Sequence, residues 1–317
     1  MRQALNREKI EGRVYQHDLT FKTVQNQASA NYGKEFISGN IEVAVDENGL
    51  NVIPVHFTYV VEENKNGGKN ATFAALKSII EKDNTWVKVG KDGATKVRID
   101  TAIALNDFYT QNDELVSTKT NEGGFVTIVN ELGPENERNR FEADMVITNV
   151  KRVEKNPEKN INEDYATVRG AIFNFRNAIL PVEFTIRQEK GIEYFEQLEA
   201  TPSNPIYTKV WGRIDCLTIS RVIEEESAFG EPSVRTTDRK VKDWTITGTA
   251  KVPYDFGDEA VLTQAELVKA SQDSEVMLAE IKKRRDEYVA SKNTTASAFA
   301  APTSPTPVVT NSAPFTF

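Results

Sequence analysis

Two kinds of reactive residue are scarce in this chain, whose 317 residues include one cysteine and two histidines. A single cysteine cannot form an internal disulfide. Cys216 lies in the strand-like segment RIDCLTI and is expected to be a small buried apolar residue. His17 and His56 stand alone on separate predicted strands, without the spacing of a metal-ligating or catalytic pair. We interpret both histidines as ordinary strand residues.

Long apolar runs and enzyme motifs are also missing. No stretch approaches the roughly 20 consecutive apolar residues that a membrane-spanning helix needs. The first residues, MRQALNREKIEG, lack the apolar core of a secretory signal. The sequence contains neither a glycine-rich phosphate loop nor a GxSxG motif. We therefore expect a cytoplasmic protein that does not contact a membrane, is not an enzyme and uses no cofactor. We also expect no metal, although the scattered carboxylates leave a carboxylate metal site as the less favoured alternative.

The charge balance is acidic, with a formal net charge of -8 and a pI near 5.2. Domains that bind nucleic acid are usually basic, so this balance argues against a uniformly basic binding protein. A local groove can nevertheless be positive while the acidic residues lie elsewhere. The composition, 39% hydrophobic and 27% charged, suits a globular protein, and the length allows two domains with additional segments.

An internal repeat organises the chain. Residues 36–60 and 165–188 each predict a strand, a short turn and a second strand. The two copies share a similar word, VIPVHFT at Val52–Thr58 and ILPVEFT at Ile179–Thr185. The first copy has about four extra residues, which fall in the turn, where insertions are tolerated. We interpret the repeat as an internal duplication; the alternative is the strand–turn similarity found in any antiparallel β protein.

Both copies predict the same order of elements, which is three strands, a helix and two further strands. The helix is predicted at 71–81 in the first copy and at 191–198 in the second. The word Arg-Ile-Asp recurs at 98–100 and 213–215, on the strand that follows each helix region. This order is that of the OB-fold, a five-stranded barrel that binds oligonucleotides or oligosaccharides.

The predicted fold class is mainly β, with two tandem OB-like five-stranded barrels followed by a C-terminal helix and a disordered tail. The predicted ranges are 12–132 and 141–257 for the barrels, 258–292 for the helix and 293–317 for the tail. Outside the barrels we expect a polar arm or helix at 1–11 and a linker at 133–140, and we assign Trp86–Val89 to a strand.

The C-terminal helix has a recognisable start, because Thr263 and Glu266 have the spacing of a capping box. The basic run at 282–285 is interpreted as a solvated face, with a phosphate contact as the alternative. After the helix, alanine, threonine, serine and proline dominate and acidic residues are absent, a composition that predicts disorder.

Basic and aromatic residues are interleaved on several predicted strands. Because alternate side chains of a strand point to opposite faces, Lys209, Trp211 and Arg213 share one face. A base could stack on this indole while the cations contact phosphates, which is a sequence-tolerant way to hold a single strand. The alternative is that each aromatic belongs to a core and each cation solubilises a strand edge. The candidate nucleic-acid-binding residues are Trp86, Lys88, Lys96, Arg98, Arg169, Phe173, Phe175, Arg176, Lys209, Trp211, Arg213, Phe229, Arg235, Arg239, Lys240, Lys242 and Trp244.

The segment Tyr207–Ile214, with its word KVWG, and the loop Glu225–Trp244 resemble single-stranded-DNA-binding proteins of phages and mobile elements. The resemblance covers both copies, the second more closely, through short motifs. It implies OB-folds that protect single strands in replication or recombination, in the host bacterial cytoplasm for a phage protein. It also implies a mobile tail whose terminal aromatic and carboxylate recruit replication or recombination proteins. Phe315 and Phe317 fit that end, but the usual acidic run before it is missing.

Three functions stay open at this point. The first is non-catalytic binding of single-stranded DNA, with RNA as an alternative ligand. The second is a virion or assembly protein built of tandem β domains. The third is a pair of oligosaccharide-binding barrels, which would not need Lys209, Arg213 and Arg235. The first differs from the second in requiring that outward cations of the two copies line one continuous groove.

Overall fold

The structure is a computed structural model that describes residues 4–29, 31–64, 66–110, 112–159, 161–225, 233–256 and 262–295. Within these ranges the chain is mainly β. The strands are β1 (Asn6–His17), β2 (Thr20–Thr23), β3 (Glu35–Ala44), β4 (Val52–Val61), β5 (Lys96–Tyr109), β6 (Leu115–Ile128), β7 (Asn139–Val153), β8 (Tyr165–Phe173), β9 (Ile179–Ile186), β10 (Ile206–Glu225) and β11 (Ser233–Thr249). The helices are α1 (Ala71–Lys82), α2 (Trp86–Gly93), α3 (Glu189–Gln197) and α4 (Gln264–Thr295).

The strand pairings of the first half close into a ring. β1 pairs with β3, β3 with β4, β4 with β6, β6 with β5, and β5 again with β1. The β4–β6 pairing is parallel and the others are antiparallel. The short strand β2 pairs with β3 outside the ring. Helices α1 and α2 lie between the third and fourth strands of this ring.

The second half repeats this pattern. β7 pairs with β8, β8 with β9, β9 with β11, β11 with β10, and β10 again with β7. The equivalent pairing, β9 with β11, is again the parallel one. Helix α3 lies between the third and fourth strands. The two words that are similar in sequence, on β4 and β9, therefore lie on topologically equivalent strands.

A ladder between β1 and β7 joins the two rings. Asn6–Ile10 of the first half pairs antiparallel with residues 139–143 of the second, in addition to the pairs that each strand makes within its own ring. All eleven strands consequently form one sheet. One cluster of buried side chains extends through both rings. Residues of the two halves are thus held in fixed register across the joint.

Side chains alternate between the two faces of a strand, and this alternation explains which strand residues are buried. On β9, Val182, Phe184 and Ile186 are buried, whereas Glu183 and Thr185 are partly exposed. Each Val, Ile or Phe side chain removed from water in this way contributes about 1.5–3 kcal/mol. The rings therefore enclose their apolar faces and direct the polar faces outward.

Three predicted helices are present. Helix α1 begins at Ala71, as expected, and buries Phe73, Leu76 and Ile79 at helical spacing. Helix α3 occupies nearly the predicted range. The capping box of α4 is formed, because the Thr263 hydroxyl accepts from the backbone N–H of Glu266 at 3.3 Å and the backbone N–H of Thr263 donates to the Glu266 carboxylate at 3.0 Å.

The first turns of α4 cover part of the second ring from outside. Leu262, Leu267 and Ala270 pack with Phe173 of β8 and Tyr207 of β10 in a second buried cluster. Further along the helix, Lys282 forms an ion pair of 2.7 Å with Asp113, in the connection between β5 and β6. Helix α4 therefore contacts both halves. None of the described helices is both long and apolar enough to cross a lipid bilayer.

Four local predictions differ from the structure. Trp86–Val89 is helical and not a strand, because α2 begins there and continues to a kink at Gly90, whose φ is 77°. A segment of four residues, three of them apolar, does not distinguish a strand from a short helix. The predicted arm at 1–11 contains the start of β1, and the predicted linker at 133–140 ends in the start of β7. Helix α4 also continues to Thr295, into the range predicted as tail, and residues 296–317 lie outside the described ranges.

Candidate nucleic-acid interface

Three cations lie side by side across the joint between the rings. Lys9 of β1 is in register with Arg140 of β7, and Arg140 is in register with Arg213 of β10. Residues in register on neighbouring strands point to the same face. Their neighbours along the chain, among them Ile10 and Phe141, are buried in the rings. The three cationic side chains therefore point outward together.

Further residues extend this row. Arg7 and Trp211 are both in register with Glu142, one step along the same face. Arg98 lies beside the row on β5, and Lys209 lies beyond Trp211 on β10. We call this set the bridging surface; it consists of Arg7, Lys9, Arg98, Arg140, Lys209, Trp211 and Arg213. Lys209, Trp211 and Arg213 share one face, in the arrangement that the alternation predicted.

Most cations of the bridging surface have an acidic partner. Arg7 pairs with Asp100 at 3.1 Å and Lys209 with Glu142 at 2.8 Å. The Glu11 carboxylate accepts from Arg98 at 2.7 Å. Burial acts to raise the pKa of Glu11, but the hydrogen bonds from Arg98 and from a backbone N–H outweigh it and hold the pKa at about 2. Glu11 is therefore ionised and neutralises Arg98.

Arg140 and Arg213 differ from the other cations, because neither forms an ion pair with any residue that the structure describes. The Nε atom of Arg140 is also buried without a hydrogen-bond partner in that part of the chain. Like charges directly opposite each other on neighbouring strands destabilise a sheet. The centre of the bridging surface thus carries positive charge that the described part of the protein does not neutralise.

The indole of Trp211 lies over the neighbouring strand. A Cβ atom placed on Gly248 of β11 would be 2.4 Å from the indole Nε1, so the ring occupies the space above this glycine. Trp211 is partly exposed, and the Lys209 Nζ atom is 6.0 Å from its ring centroid. A ring that lies on a sheet in this way can accept a base on its outer face.

A cleft of about 350 Å³ lies at the joint. Its lining contains the basic residues Arg7, Lys9 and Arg140. Three glutamates complete the lining, and they are Glu8, Glu137 and Glu142. Two cations of the first half, Arg7 and Lys9, and one of the second half, Arg140, therefore border one concave surface.

Two residues that the sequence assigned to the interface are interior. Trp244 is 1% exposed, and its Nε1 donates to the Glu8 carboxylate at 2.9 Å, so no base can reach its ring. Phe173 shares an outward strand face with Arg169, as alternation predicted, but the start of α4 covers it. We remove both residues from the candidate interface for these reasons.

The other predicted residues are dispersed. Lys88 pairs with Asp83, Arg169 with Glu183, and Lys240 with Glu42. Trp86 packs near Tyr15, Lys96 donates to the Asn130 carbonyl at 2.9 Å, and Lys242 is exposed on β11. Phe175 and Arg176 are exposed at the turn after β8, where the guanidinium carbon is 5.1 Å from the ring centroid.

The remaining predicted residues lie beyond what the structure describes. Phe229, Phe315 and Phe317 lie outside the described residues. Arg235 and Arg239 lie on β11, of which only the backbone is described at these positions.

Sequence reasoning missed Arg7, Lys9 and Arg140. The segment Asn6–Gly12 contains one large apolar side chain, Ile10, and one of its other buried residues is the charged Glu8. The sequence therefore shows no alternation of apolar and polar residues that would mark the strand. A signal was present at Arg140, since charged and apolar side chains alternate over 140–143, in the order arginine, phenylalanine, glutamate and alanine. Among the described residues, no group of three His, Cys, Asp or Glu side chains is placed to hold a metal ion.

Comparisons with known proteins give a family and distant similarities to solved structures. A family model described as YorF matches residues 5–285. A comparison with curated proteins gives no match. Among solved structures, the chain is similar to a deletion mutant of the single-stranded DNA binding protein from Thermus aquaticus, with 11% identity and a TM-score of 0.46. The similarity covers 82% of this chain and 100% of that one.

Proposed function

This chain belongs to the YorF family, and from that premise we propose that it binds single-stranded DNA on the bridging surface without catalysing a reaction. The family name carries no activity, so the proposal depends on the geometry of the described residues. The observation that carries it is the row of Lys9, Arg140 and Arg213, which crosses the joint between the rings with two unpaired arginines.

We also infer that the two rings are OB-like barrels produced by a duplication. In each ring the pairing order is first, second, third, fifth and fourth strand, returning to the first, with helix between the third and fourth strands. This is the order expected for a five-stranded OB barrel. The repeated parallel pairing and the similar words on β4 and β9 support a common origin.

Phosphate is the ligand group that suits the centre of the surface. An arginine guanidinium is always charged and presents paired N–H donors that match phosphate oxygens. Arg140 and Arg213 are adjacent, and no acidic group in the described part of the chain pairs with them. A chain of phosphates passing over the row would relieve their repulsion, and this gain is not available to a neutral sugar.

A single strand suits the surface better than a duplex. Trp211 lies beside the cations with its ring on the sheet, where an unpaired base can stack. Base–aromatic stacking contributes about 1–3 kcal/mol per base and tolerates any sequence. In a duplex the bases are already stacked on one another, so Trp211 would add little.

The biological setting follows from this activity as part of the same proposal. A sequence-tolerant protein of this kind protects single strands during DNA replication or recombination in a bacterial cytoplasm, and RNA is the alternative ligand. Recruitment of replication or recombination proteins by Phe315 and Phe317 also stays a proposal, since both residues lie outside the described ranges.

Fluorescence anisotropy tests the proposal directly. Labelled oligo(dT) and a duplex of equal length are titrated with the full chain at low and moderate salt. We expect the single strand to bind more tightly, with affinity falling as salt rises by roughly 0.7 logarithmic units per phosphate contact for each tenfold change in salt.

Matched variants locate the site. Arg140→Gln and Arg213→Gln should each weaken binding and flatten the salt dependence, and Trp211→Ala should weaken binding at every salt concentration. Arg284→Gln is the control, because Arg284 is an exposed arginine on α4, away from the row. Absence of binding to either oligonucleotide would overturn the proposal and favour the assembly role. Equal losses in all the arginine variants would show attraction without a site.

A further inference from the structure

Phe125 is a large apolar side chain whose exposed ring does not contribute to either buried cluster. It lies on β6 and is 74% exposed. It is in register with Asp100 of β5, which is in register with Lys9 of β1. Its neighbour Val126 is buried, so Phe125 points outward on the face that carries the cationic row. One row of residues in register therefore runs across both rings from Phe125 to Arg213, and Trp211 lies one step along the same face of β10 from the end of this row.

From this arrangement we propose that Phe125 is a second base-stacking platform, so that one nucleic-acid strand crosses both halves from Trp211 to Phe125. The inference rests on the proposed function and adds to it the path of the strand. Four strand spacings separate β10 from β6, or roughly 19 Å. Lys9 and Arg140 lie on strands between those of Phe125 and Trp211, and Arg213 lies next to Trp211 on the same face of β10. The phosphates of a strand that stacks on both aromatic side chains would pass over these cations.

The backbone on both sides of Phe125 is fixed by one hydroxyl group. Thr72 of α1 donates to the carbonyl of Gly124 at 3.3 Å and accepts from the backbone N–H of Val126 at 3.4 Å. An irregularity in the β5–β6 register also falls directly beside this position, after Asp100. Such bulges redirect side chains in sheets. An exposed phenylalanine on a backbone held in this way is preorganised for a ligand, which reduces the entropy lost on binding.

The acidic residue that lies between Phe125 and Lys9 in this row has a cationic partner. Asp100 is the acidic residue in the row, and Arg7 pairs with it at 3.1 Å. No other aromatic ring among the described residues stacks on Phe125, so its ring is not used within that part of the protein. A base is the planar apolar group that the proposed ligand brings to this position.

Three substitutions at position 125 separate stacking from simple apolar contact. Phe125→Ala and Phe125→Leu should each lower affinity for an oligo(dT) of about 40 nucleotides, a length that exceeds two OB sites, by roughly 5- to 150-fold. Phe125→Trp should keep the affinity, and its added indole emission should be quenched by the oligonucleotide. Leu50→Ala is the control, because Leu50 is 64% exposed but lies in the turn between β3 and β4.

Arg213→Gln, measured in parallel, distinguishes failure of this inference from failure of the proposed function. If Arg213→Gln weakens binding while all three Phe125 variants bind like the unmodified chain, the path is wrong and the bridging surface remains the site. Full affinity in Phe125→Leu would also overturn the inference, since leucine keeps the apolar area without the ring. If the unmodified chain does not bind oligo(dT), both proposals fall.

Discussion

The indole Nε1 of Trp244 donates a hydrogen bond of 2.9 Å to the carboxylate of Glu8, and both residues are buried. Trp244 belongs to β11 in the second half and Glu8 to β1 in the first. The Thr101 hydroxyl donates to the other carboxylate oxygen at 2.7 Å. Lys119 lies close by, with its Nζ atom 4.7 Å from the centroid of the Trp244 ring. This buried polar cluster connects the two rings by hydrogen bonds, directly beneath the bridging surface.

The ionisation of Glu8 should make stability depend on pH. Burial raises its pKa from 4.5 to about 7, against the hydrogen bonds from Trp244 and Thr101 and the charge of Lys119. The folded state therefore binds the proton more tightly than the unfolded state does. The stabilising effect is complete below pH 4.5 and is lost as the pH rises towards 7, a change of about 3 kcal/mol.

Glu8→Gln should remove this dependence, because the amide keeps the size of the side chain and can still accept from Trp244. Free energies of unfolding, measured by denaturant titration between pH 4.5 and 8, should fall for the unmodified chain and stay level for the variant. The carboxylates with pKa values lowered to about 2, which are Glu11, Glu47 and Glu266, lose their stabilising effect below this window. The same slope in both proteins would contradict the assignment to Glu8.

Removing the indole donor should destabilise the joint. Trp244→Phe keeps an aromatic ring but leaves one Glu8 oxygen without its donor, at a cost of about 1–3 kcal/mol. The loss of a bond to the carboxylate should also raise the pKa of Glu8 further. Trp211→Phe is the matched control on the outer face, and denaturant titration should show little change in its stability. An equal loss of stability in the two variants would mean that the buried hydrogen bond contributes nothing measurable.

The difference between these two tryptophans also shows what the sequence could reveal. Trp211 alternates with Val210 and Gly212, which are buried, so it points outward as predicted. Trp244 shares its face with Ile246, and Asp243 lies on the other face, which is the pattern of an interior residue. The alternation of apolar and polar residues along each strand therefore distinguishes the outward Trp211 from the buried Trp244, although the cations around Trp244 favoured the wrong interpretation.

The features that short sequence patterns could not reveal depend on contacts between distant parts of the chain. The hairpins, helix α1 and the capping box at Thr263 follow from patterns within a few residues. The ladder between β1 and β7 does not, since it joins residues 129 to 137 positions apart. Burial of Glu8 likewise depends on Trp244, 236 positions away. The bridging surface, which exists only because of that ladder, was accessible to sequence reasoning only in part.

The attachment of α4 to the second ring should depend on Leu267. This side chain is buried against Phe173 and Tyr207, so Leu267→Ala should cost about 2–5 kcal/mol and loosen the helix. Its neighbour Val268 is 51% exposed, and Val268→Ala should change stability by less than about 0.5 kcal/mol. Hydrogen exchange should show faster amide exchange in α4 and at β8 for the first variant. Unchanged protection there would mean that the helix is held elsewhere.

Arg140 and Arg213, which lack ion-pair partners among the described residues, should lower the free energy of unfolding while they favour binding of the nucleic acid. Arg213→Gln removes one of two adjacent positive charges, so the free energy of unfolding should rise by a few tenths of a kcal/mol at low salt. The gain should vanish at high salt, because Arg213 is exposed and its charge is screened. Arg284→Gln should give no such gain, since Arg284 has an acidic partner in Glu280. Lower stability at low salt in Arg213→Gln would show that the arginine has a stabilising partner.

The position of the Trp211 ring should matter independently of charge, and Gly248 offers a way to move the ring alone. A Cβ on Gly248 would lie 2.4 Å from the indole Nε1 and 2.7 Å from Cζ2, so Gly248→Ala should force the ring away from the sheet. The clash is with the end of a side chain, so the protein should still fold. Oligo(dT) affinity should fall and the tryptophan emission should change.

The salt dependence identifies the cause of that loss. Because Gly248→Ala leaves every phosphate contact in place, the slope of affinity against salt should equal that of the unmodified chain, whereas Arg213→Gln should flatten it. Gly68→Ala is the control, since a Cβ there meets nothing within 4 Å. Undiminished affinity in Gly248→Ala, together with a changed emission spectrum, would show that the indole moves but takes no part in binding. In that case the cations alone would hold the strand.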